Sequence, residues 1–254
     1  MAQLIDRPLI FFVVALVFMF LAALLGARFT HKERLQDDEV RADFGTVQSA
    51  ALTLLALVIG FSLSMAVGRY DQRKNYEEEE ANAIGTEYLR ADLLAPAQAQ
   101  QMRTLLKQYL EQRILYYSPL DEAALAAHNK QTAILQNSIW MAARDGTQSG
   151  PNPVTALAVA GANDVINTQG YTQAAWWNRI PAEAWALMIV LGLFCNFLVG
   201  YGAHGAKTST RLLAIMPLTI AISLMLIADI DSPRKGLIRV VPQNLLSLAS
   251  SMGK

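Results

Sequence analysis

The sequence is poor in nearly everything that enzyme chemistry is built from. It holds one cysteine, Cys195, and three histidines, His31, His128 and His204, scattered over different segments. A lone cysteine excludes an intrachain disulfide and any multi-cysteine metal site, and leaves a small polarizable packing residue. The histidines make no HExxH and no histidine–carboxylate pairing at metal-ligand spacing, so neither metal nor cofactor is expected. A P-loop and a dinucleotide fingerprint are also missing. "GFSLS" at 60–64 lies inside an apolar helical run, without the strand-to-helix setting of a nucleophile elbow. The expectation is that the chain is not an enzyme. Net charge is lacking too: 21 Lys and Arg balance 21 Asp and Glu, so no bulk field points to nucleic acid. Strand-period alternation, repeats and low-complexity tracts are absent, which leaves an all-α chain.

What is abundant is hydrocarbon. Apolar residues make up 53% of the chain and fall into blocks. Four of these read as membrane helices: Pro8 to Ala27, Thr46 to Gly68, Ala184 to Ala203 and Leu212 to Ala228. Each is free of charge over roughly 17–23 residues, enough to cross about 30 Å of hydrocarbon. The first is too long, and too weakly basic at its flank, for a signal peptide, and reads as a retained helix. The chain is thus a polytopic membrane protein in contact with the lipid bilayer. Its parts are a first transmembrane hairpin (1–68), a helical cytoplasmic domain between helices 2 and 3 (69–180), a second hairpin (181–231) and an interfacial C-terminal tail (232–254).

With four spans, the N-terminus, the insert and the C-terminus share one side. Near the membrane that side carries Arg7, Arg69, Arg73, Lys74, Arg179, Arg234, Lys235, Arg239 and Lys254. The other carries Arg28, Lys32, Arg34, Arg41, Lys207 and Arg211. Nine against six favours the insert and both termini facing the cytoplasm. Nothing stops the second helix before Pro96, so it should run on into the insert as one rod. Arg73 with Glu77 and Lys74 with Glu78 would support its exposed extension at i,i+4 spacing. Further along, Met102, Leu105, Leu106, Tyr109, Leu110 and Tyr117 line one stripe of an amphipathic helix. "DGTQSGPNP" reads as a loop, and Trp176 and Trp177 suit the headgroup level ahead of the third membrane helix.

Three features carry the functional reading. Small residues recur every fourth position in the second helix (Ala56, Gly60, Ser64, Gly68), and Gly192, Asn196 and Gly200 repeat the spacing in the third. Such stripes let helices approach closely, with Ser or Asn bonding across the contact; they would equally line a narrow polar pathway. The run "NYEEEEANAIGTEYLR" sets Glu80 and Glu87 along one side of a helix and Asn82, Thr86 and Arg90 along another. The four glutamates cannot all face one way. Buried contacts between helices are the favoured role of Asn82, Thr86 and Arg90, with cation coordination by Glu80 and Glu87 the alternative. Finally, "IADIDSPRKGLIRV" places Asp229 and Asp231 at a helix C-terminus, where the dipole disfavours acids. Ser232 and Pro233 end that helix and Gly236 ends a short turn. Arg234 or Arg69 is the expected counter-charge. The segment reads as boundary, anchor or ion site.

"RYDQRKNYEEEEANAIGTEYLRADLL" and "DIDSPRKGLIRV" resemble the two signature blocks of a bestrophin-like family of bacterial membrane proteins. "FGTVQSAALTLLALVIGFSLSMAVGRYDQR", "NDVIN", "RIPAEAW" and "GYGAHG" match it in style, so the resemblance runs from about Phe44 to Val240. The segment "TQGYTQAAWW" departs from it. The resemblance implies a homo-oligomer with an axial pore and therefore an ion channel or channel-like transporter, with inorganic ions passing. A ring of Asp229, Asp231 or Glu80 would favour cations, and inward-facing Arg69 or Arg73 anions. A non-conducting scaffold or sensor, whose insert binds a partner, is the rival. The remaining residues placed on an ion path or in polar helix contacts are Ser64, Asn196 and Arg234.

Overall fold

The computed structural model describes residues 2–29, 37–118, 120–147, 152–203 and 210–253. Among them every regular element is helical. In chain order they are α1 (Ala2–Ile5), α2 (Pro8–Phe29), α3 (Asp38–Arg90), a 3-10 turn (Ala91–Leu93), α4 (Pro96–Tyr116), α5 (Glu122–Thr147), α6 (Pro153–Trp177), α7 (Ala182–Tyr201), α8 (Thr210–Asp231) and α9 (Gln243–Met252). Four stretches are long and apolar enough to cross a membrane: Pro8–Phe29, Leu212–Asp231, and windows inside Asp38–Leu93 and Pro153–Tyr201. His31 and His204 lie outside the described residues. His128 donates from Nδ1 to Gln112 Oε1 at 2.8 Å.

The chain divides into two compact units. One comprises Met1–Gly68 and Arg179–Ile238, the other Arg69–Asn178 and Arg239–Lys254. In the first, α2 is apolar on all sides, so hydrophobicity alone cannot choose its buried face. Residue size chooses it. Phe11, Ala15, Met19, Ala23 and Gly26 recur every three or four positions and are buried, while Leu9, Val13, Val17, Phe18, Leu21 and Leu25 point outward. Between helices in hydrocarbon the gain comes from close contact, which small residues permit. A methyl group on Gly200 of α7 would stand 1.9 Å from the Ala23 carbonyl oxygen, and one on Gly26 would stand 2.0 Å from that of Phe197. The small-residue spacing of α7 is therefore close packing against α2. Phe11 and Trp185 add an edge-to-face contact at 5.5 Å.

Asn196 departs from expectation. It is fully buried, but its Nδ2 donates to Gly192 O, 2.7 Å away on its own helix, instead of across to a neighbour. The stripe in α3 departs further. Ala56, Gly60, Ser64 and Gly68 are all exposed, and a Cβ on Gly60 or Gly68 would meet nothing within 4 Å.

The second unit is a helical bundle. α3 does run on past Gly68 as one helix, but it stops at Arg90, ahead of Pro96. Pro96 opens α4 and holds Ala95 extended, at φ −63 and ψ 152. Asn152 caps α6: its Oδ1 accepts from Val154 N at 2.8 Å and Thr155 N at 2.9 Å, with Pro153 in the first turn. The core is filled by Met102, Leu106, Tyr109 and Leu110 from α4, Leu135 and Ile139 from α5, and Ala158, Ala162 and Val165 from α6. Trp177 is exposed, whereas Trp176 is buried in this core against Tyr116 at 5.0 Å and Tyr117 at 5.3 Å. Its place at a headgroup level is thereby corrected: aromatic partners within the bundle hold it.

Gly200→Leu should prevent α2 and α7 from closing and yield aggregated protein in mild detergent, because backbone cannot yield to the new side chain. Gly60→Ala, in open space within the chain, should leave the subunit folded, with a gain of up to about 1 kcal/mol from helix propensity. Size-exclusion profiles and melting curves of the two variants check this contrast.

Candidate functional site

In the second unit the inward face of α3 is charged. Arg73, Glu77, Glu80, Ile84 and Glu87 follow one another at three- and four-residue spacing, and each is at most 1% exposed. The spacing puts them on one helix face, and each charge but the last meets a built partner. Arg73 donates from Nε to Ala175 O at 3.2 Å and from Nη2 to Asn178 O at 3.4 Å. These are carbonyls at the end of α6, where the helix dipole welcomes a cation. Glu77 accepts from Leu245 N at 2.9 Å and Asn244 Nδ2 at 2.7 Å, an anion at the start of α9. Glu80 takes a buried salt bridge from Arg113 of α4 and a hydrogen bond from Thr172 Oγ1 of α6 at 3.2 Å. The Arg113 guanidinium also lies 4.4 Å over the Tyr116 ring. Burial alone would lower the Arg113 pKa, but Glu80 beside it more than reverses this and holds it above the ordinary arginine value. Arg73 and Glu77, expected to brace an exposed extension, are instead buried pins.

Glu87 is the exception. Both of its carboxylate oxygens are buried and neither has a hydrogen-bond partner. Its place exists because residue 161 of α6 is glycine: a Cβ there would stand 1.8 Å from Oε2. Burial pushes the Glu87 carboxyl up to about 8; Arg90 pulls against this and Asp164 adds to it.

The other face of α3 corrects the favoured roles. Asn82 and Thr86 are exposed, and they line a groove with Asn244, Ser247 and Ser251 of α9. Arg90 is half-buried and sits 3.7 Å from Asp164. The reason is geometric: the apolar and glutamate positions already fill the inward arc of α3, which turns Asn82 and Thr86 outward. Glu78 and Glu79 are exposed, so two of the four consecutive glutamates face inward. Arg69 is half-buried.

In the first unit the two aspartates fold the end of α8. Asp229 accepts from Leu237 N at 2.6 Å and Ile238 N at 2.9 Å. Gly236 permits the return of the chain, since a Cβ there would stand 2.4 Å from Asp229 O. Asp231, 1% exposed, accepts from Ile180 N at 3.1 Å, just ahead of α7. Arg179 pairs with it at 3.4 Å, a cation not named beside Arg234 and Arg69 from the sequence. Arg179 also bridges to Asp6, which accepts from Ser232 Oγ at 3.3 Å. Backbone amides and Arg179 thus offset the unfavourable helix end. Among the described residues no three His, Cys, Asp or Glu side chains gather as a metal ion requires.

Sequence reasoning missed Arg113, Arg179, Thr172 and Gly161. Arg113 had a signal: it falls four residues after Tyr109, on the apolar stripe of α4, where a solvated arginine has no business. Arg179, Thr172 and Gly161 had none, because their partners are distant in sequence.

Comparison with known proteins bears on this architecture. The bestrophin-like domain matches residues 11–245. The chain belongs to the bestrophin-like family. Solved structures agree in fold. A bacterial bestrophin homologue from Klebsiella pneumoniae shares 13% identity over 96% of this chain and 99% of its own, with a TM-score of 0.65. A single-residue variant of a Klebsiella homologue gives 12% identity over 94% and 98%, with a TM-score of 0.66. No curated protein matches the chain. At this identity the likeness speaks for the bestrophin-like fold, and with the four apolar helices it makes this a membrane protein.

Asp229→Ala strands the Leu237 and Ile238 amides and should cost about 1–3 kcal/mol. Asp229→Asn should cost less, since its amide oxygen still accepts one bond. Thermal unfolding of the full chain in detergent, compared across the two variants, gives the ranking.

Proposed function

We propose that this bestrophin-like chain is one subunit of a homo-oligomeric ion channel, or channel-like transporter, of a bacterial inner membrane, with its insert and both termini in the cytoplasm. The observation that carries the reading is the uncovered membrane stretch of α3. Only 17% of its apolar window is buried within the chain, against 50% for α8. The open strip of Ala56, Gly60, Ser64 and Gly68 runs beside exposed Leu54, Leu57, Phe61 and Met65. In a lone subunit this narrow strip would meet lipid, which gains nothing from a groove of small residues; other subunits around an axis would make it a helix contact or a path.

The charged candidates serve this reading poorly as ion ligands. Arg73, Glu77, Glu80, Asp229 and Asp231 already have donors or acceptors from their own chain. Stripping an ion of water needs free oxygens or free N–H groups, and these side chains would have to give up their bonds first. Ser64 is the polar residue of the set that stands on the open strip, so we assign it to the path. The same partnering favours the rival reading, a non-conducting scaffold or sensor, in which these residues only hold helices together.

Purified protein in liposomes distinguishes the two. The channel reading predicts salt-dependent flux that Ser64→Trp reduces at least about tenfold without changing the oligomer, since the indole blocks a narrow strip. Absence of flux for the wild-type oligomer, across ionic conditions and pH, would favour the scaffold; so would a strictly monomeric chain.

A further inference from the structure

Three inward carboxylates of α3 stand in the bundle of the second unit, and two of them are held by built donors. Glu87 has none, although it is 0% exposed. It lies against α6, where Gly161 makes room for Oε2. The charged groups that face it are few. Arg90, one turn on along α3, is engaged with Asp164 of α6 at 3.7 Å. Asp164 itself is an anion. Arg103 and Lys107 of α4 lie over Tyr88, with Arg103 also paired to Asp92. A bare carboxylate in such a place, without a hydrogen bond, is costly; a neutral acid is far less so.

We infer that Glu87 is a proton-binding site between α3 and α6, loaded while the two helices are packed and emptied when they loosen at Gly161. The ligand is a proton and the change is simple. The carboxylic acid releases H⁺ to water, and the carboxylate left behind needs hydration or Arg90, which then parts from Asp164. Proton release and loosening of α6 are therefore one event. The packed carboxyl keeps its proton to about 8, whereas an ordinary one loses it near 4.5. Between those values the packed state binds more protons than the loosened one, so raising pH weakens the packing, and the loss is complete above about 8. The inference holds whether or not the chain conducts. It gives the bundle a way to read the pH around it.

Amide hydrogen exchange of α6 in the full chain, in detergent, tests it against Glu87→Gln, which mimics the neutral acid. Comparing the two proteins at one pH removes the intrinsic pH effect on exchange. Around residue 161, wild type and variant should exchange alike at pH about 5, and wild type should exchange at least about tenfold faster at pH about 8.5. A ratio that does not change with pH overturns the inference, as does a Glu87→Gln chain that cannot fold. Infrared spectra of the wild type alone give a second reading. A protonated carboxyl absorption should persist at neutral pH, fade as pH rises through about 8, and be lost in Gly161→Ala, whose methyl displaces Oε2. A wild type without that absorption refutes the site.

Discussion

The buried charge on α3 is the constraint on which the second unit depends. A helix that carries Arg73, Glu77 and Glu80 on its inward face cannot be packed against hydrocarbon alone; each of these charges must find a group that offsets its lost hydration. The bundle supplies those groups from three other helices. Arg73 takes the carbonyls at the end of α6, Glu77 the amides at the start of α9, and Glu80 the guanidinium of Arg113 in α4. Hydrophobic contact tolerates sliding, whereas a guanidinium seated on a carboxylate does not. These pairs therefore set the register of α4, α6 and α9 on α3, and the apolar core fills in around that register. Helix ends do part of the work at no extra cost in side chains, because their dipoles already favour a cation at the end of α6 and an anion at the start of α9.

The membrane unit solves a different problem with the same economy. There the apolar residues surround α2 and α7 on every side, so packing is decided by where the chain is small: Gly26, Gly192 and Gly200. Its buried acids stand where the fold turns. Asp229 and Asp231 stand at an end of α8 that repels acids, and each is matched to backbone amides that would otherwise lack acceptors. Gly236 follows from Asp229, because the returning chain passes too close to its carbonyl for a side chain. The α3 stripe of Ala56, Gly60, Ser64 and Gly68 obeys none of this within one chain. That contrast between two stripes of equal spacing, one closed and one open, is the physical basis for the proposal that α3 packs in an assembly.

Long-range partners mark the limit of what the residues alone revealed. The four apolar runs, the continuous α3 and the break at Ser232-Pro233 were legible because periodicity, length and proline chemistry are local. The acidic run was half legible: helix geometry forbids four neighbouring glutamates from facing one way, and two do face inward. Which neighbours they meet was not, since Glu80 and Arg113 are separated by 33 residues and Glu77 and Leu245 by 168. Asn82 and Thr86 were assigned to buried contacts because amides and hydroxyls suit helix interfaces; the glutamates, less suited by type, occupy that face instead. Trp176 was misread for a similar reason. An interfacial tryptophan and a core tryptophan look alike until Tyr116 and Tyr117 are seen against it.

The most direct test of this dependence is a double-mutant cycle on Arg113 and Glu80. Arg113→Met, Glu80→Gln and the double variant would be compared by thermal unfolding of the full chain in detergent. Each single change should cost about 3–5 kcal/mol, because it leaves the other charge, or its hydrogen bonds, buried without a partner. The double variant should cost clearly less than the sum, with a coupling in the range of about 0.5–3 kcal/mol or above. Strictly additive losses, or singles that unfold like wild type, would contradict a bundle held in register by the charged face of α3.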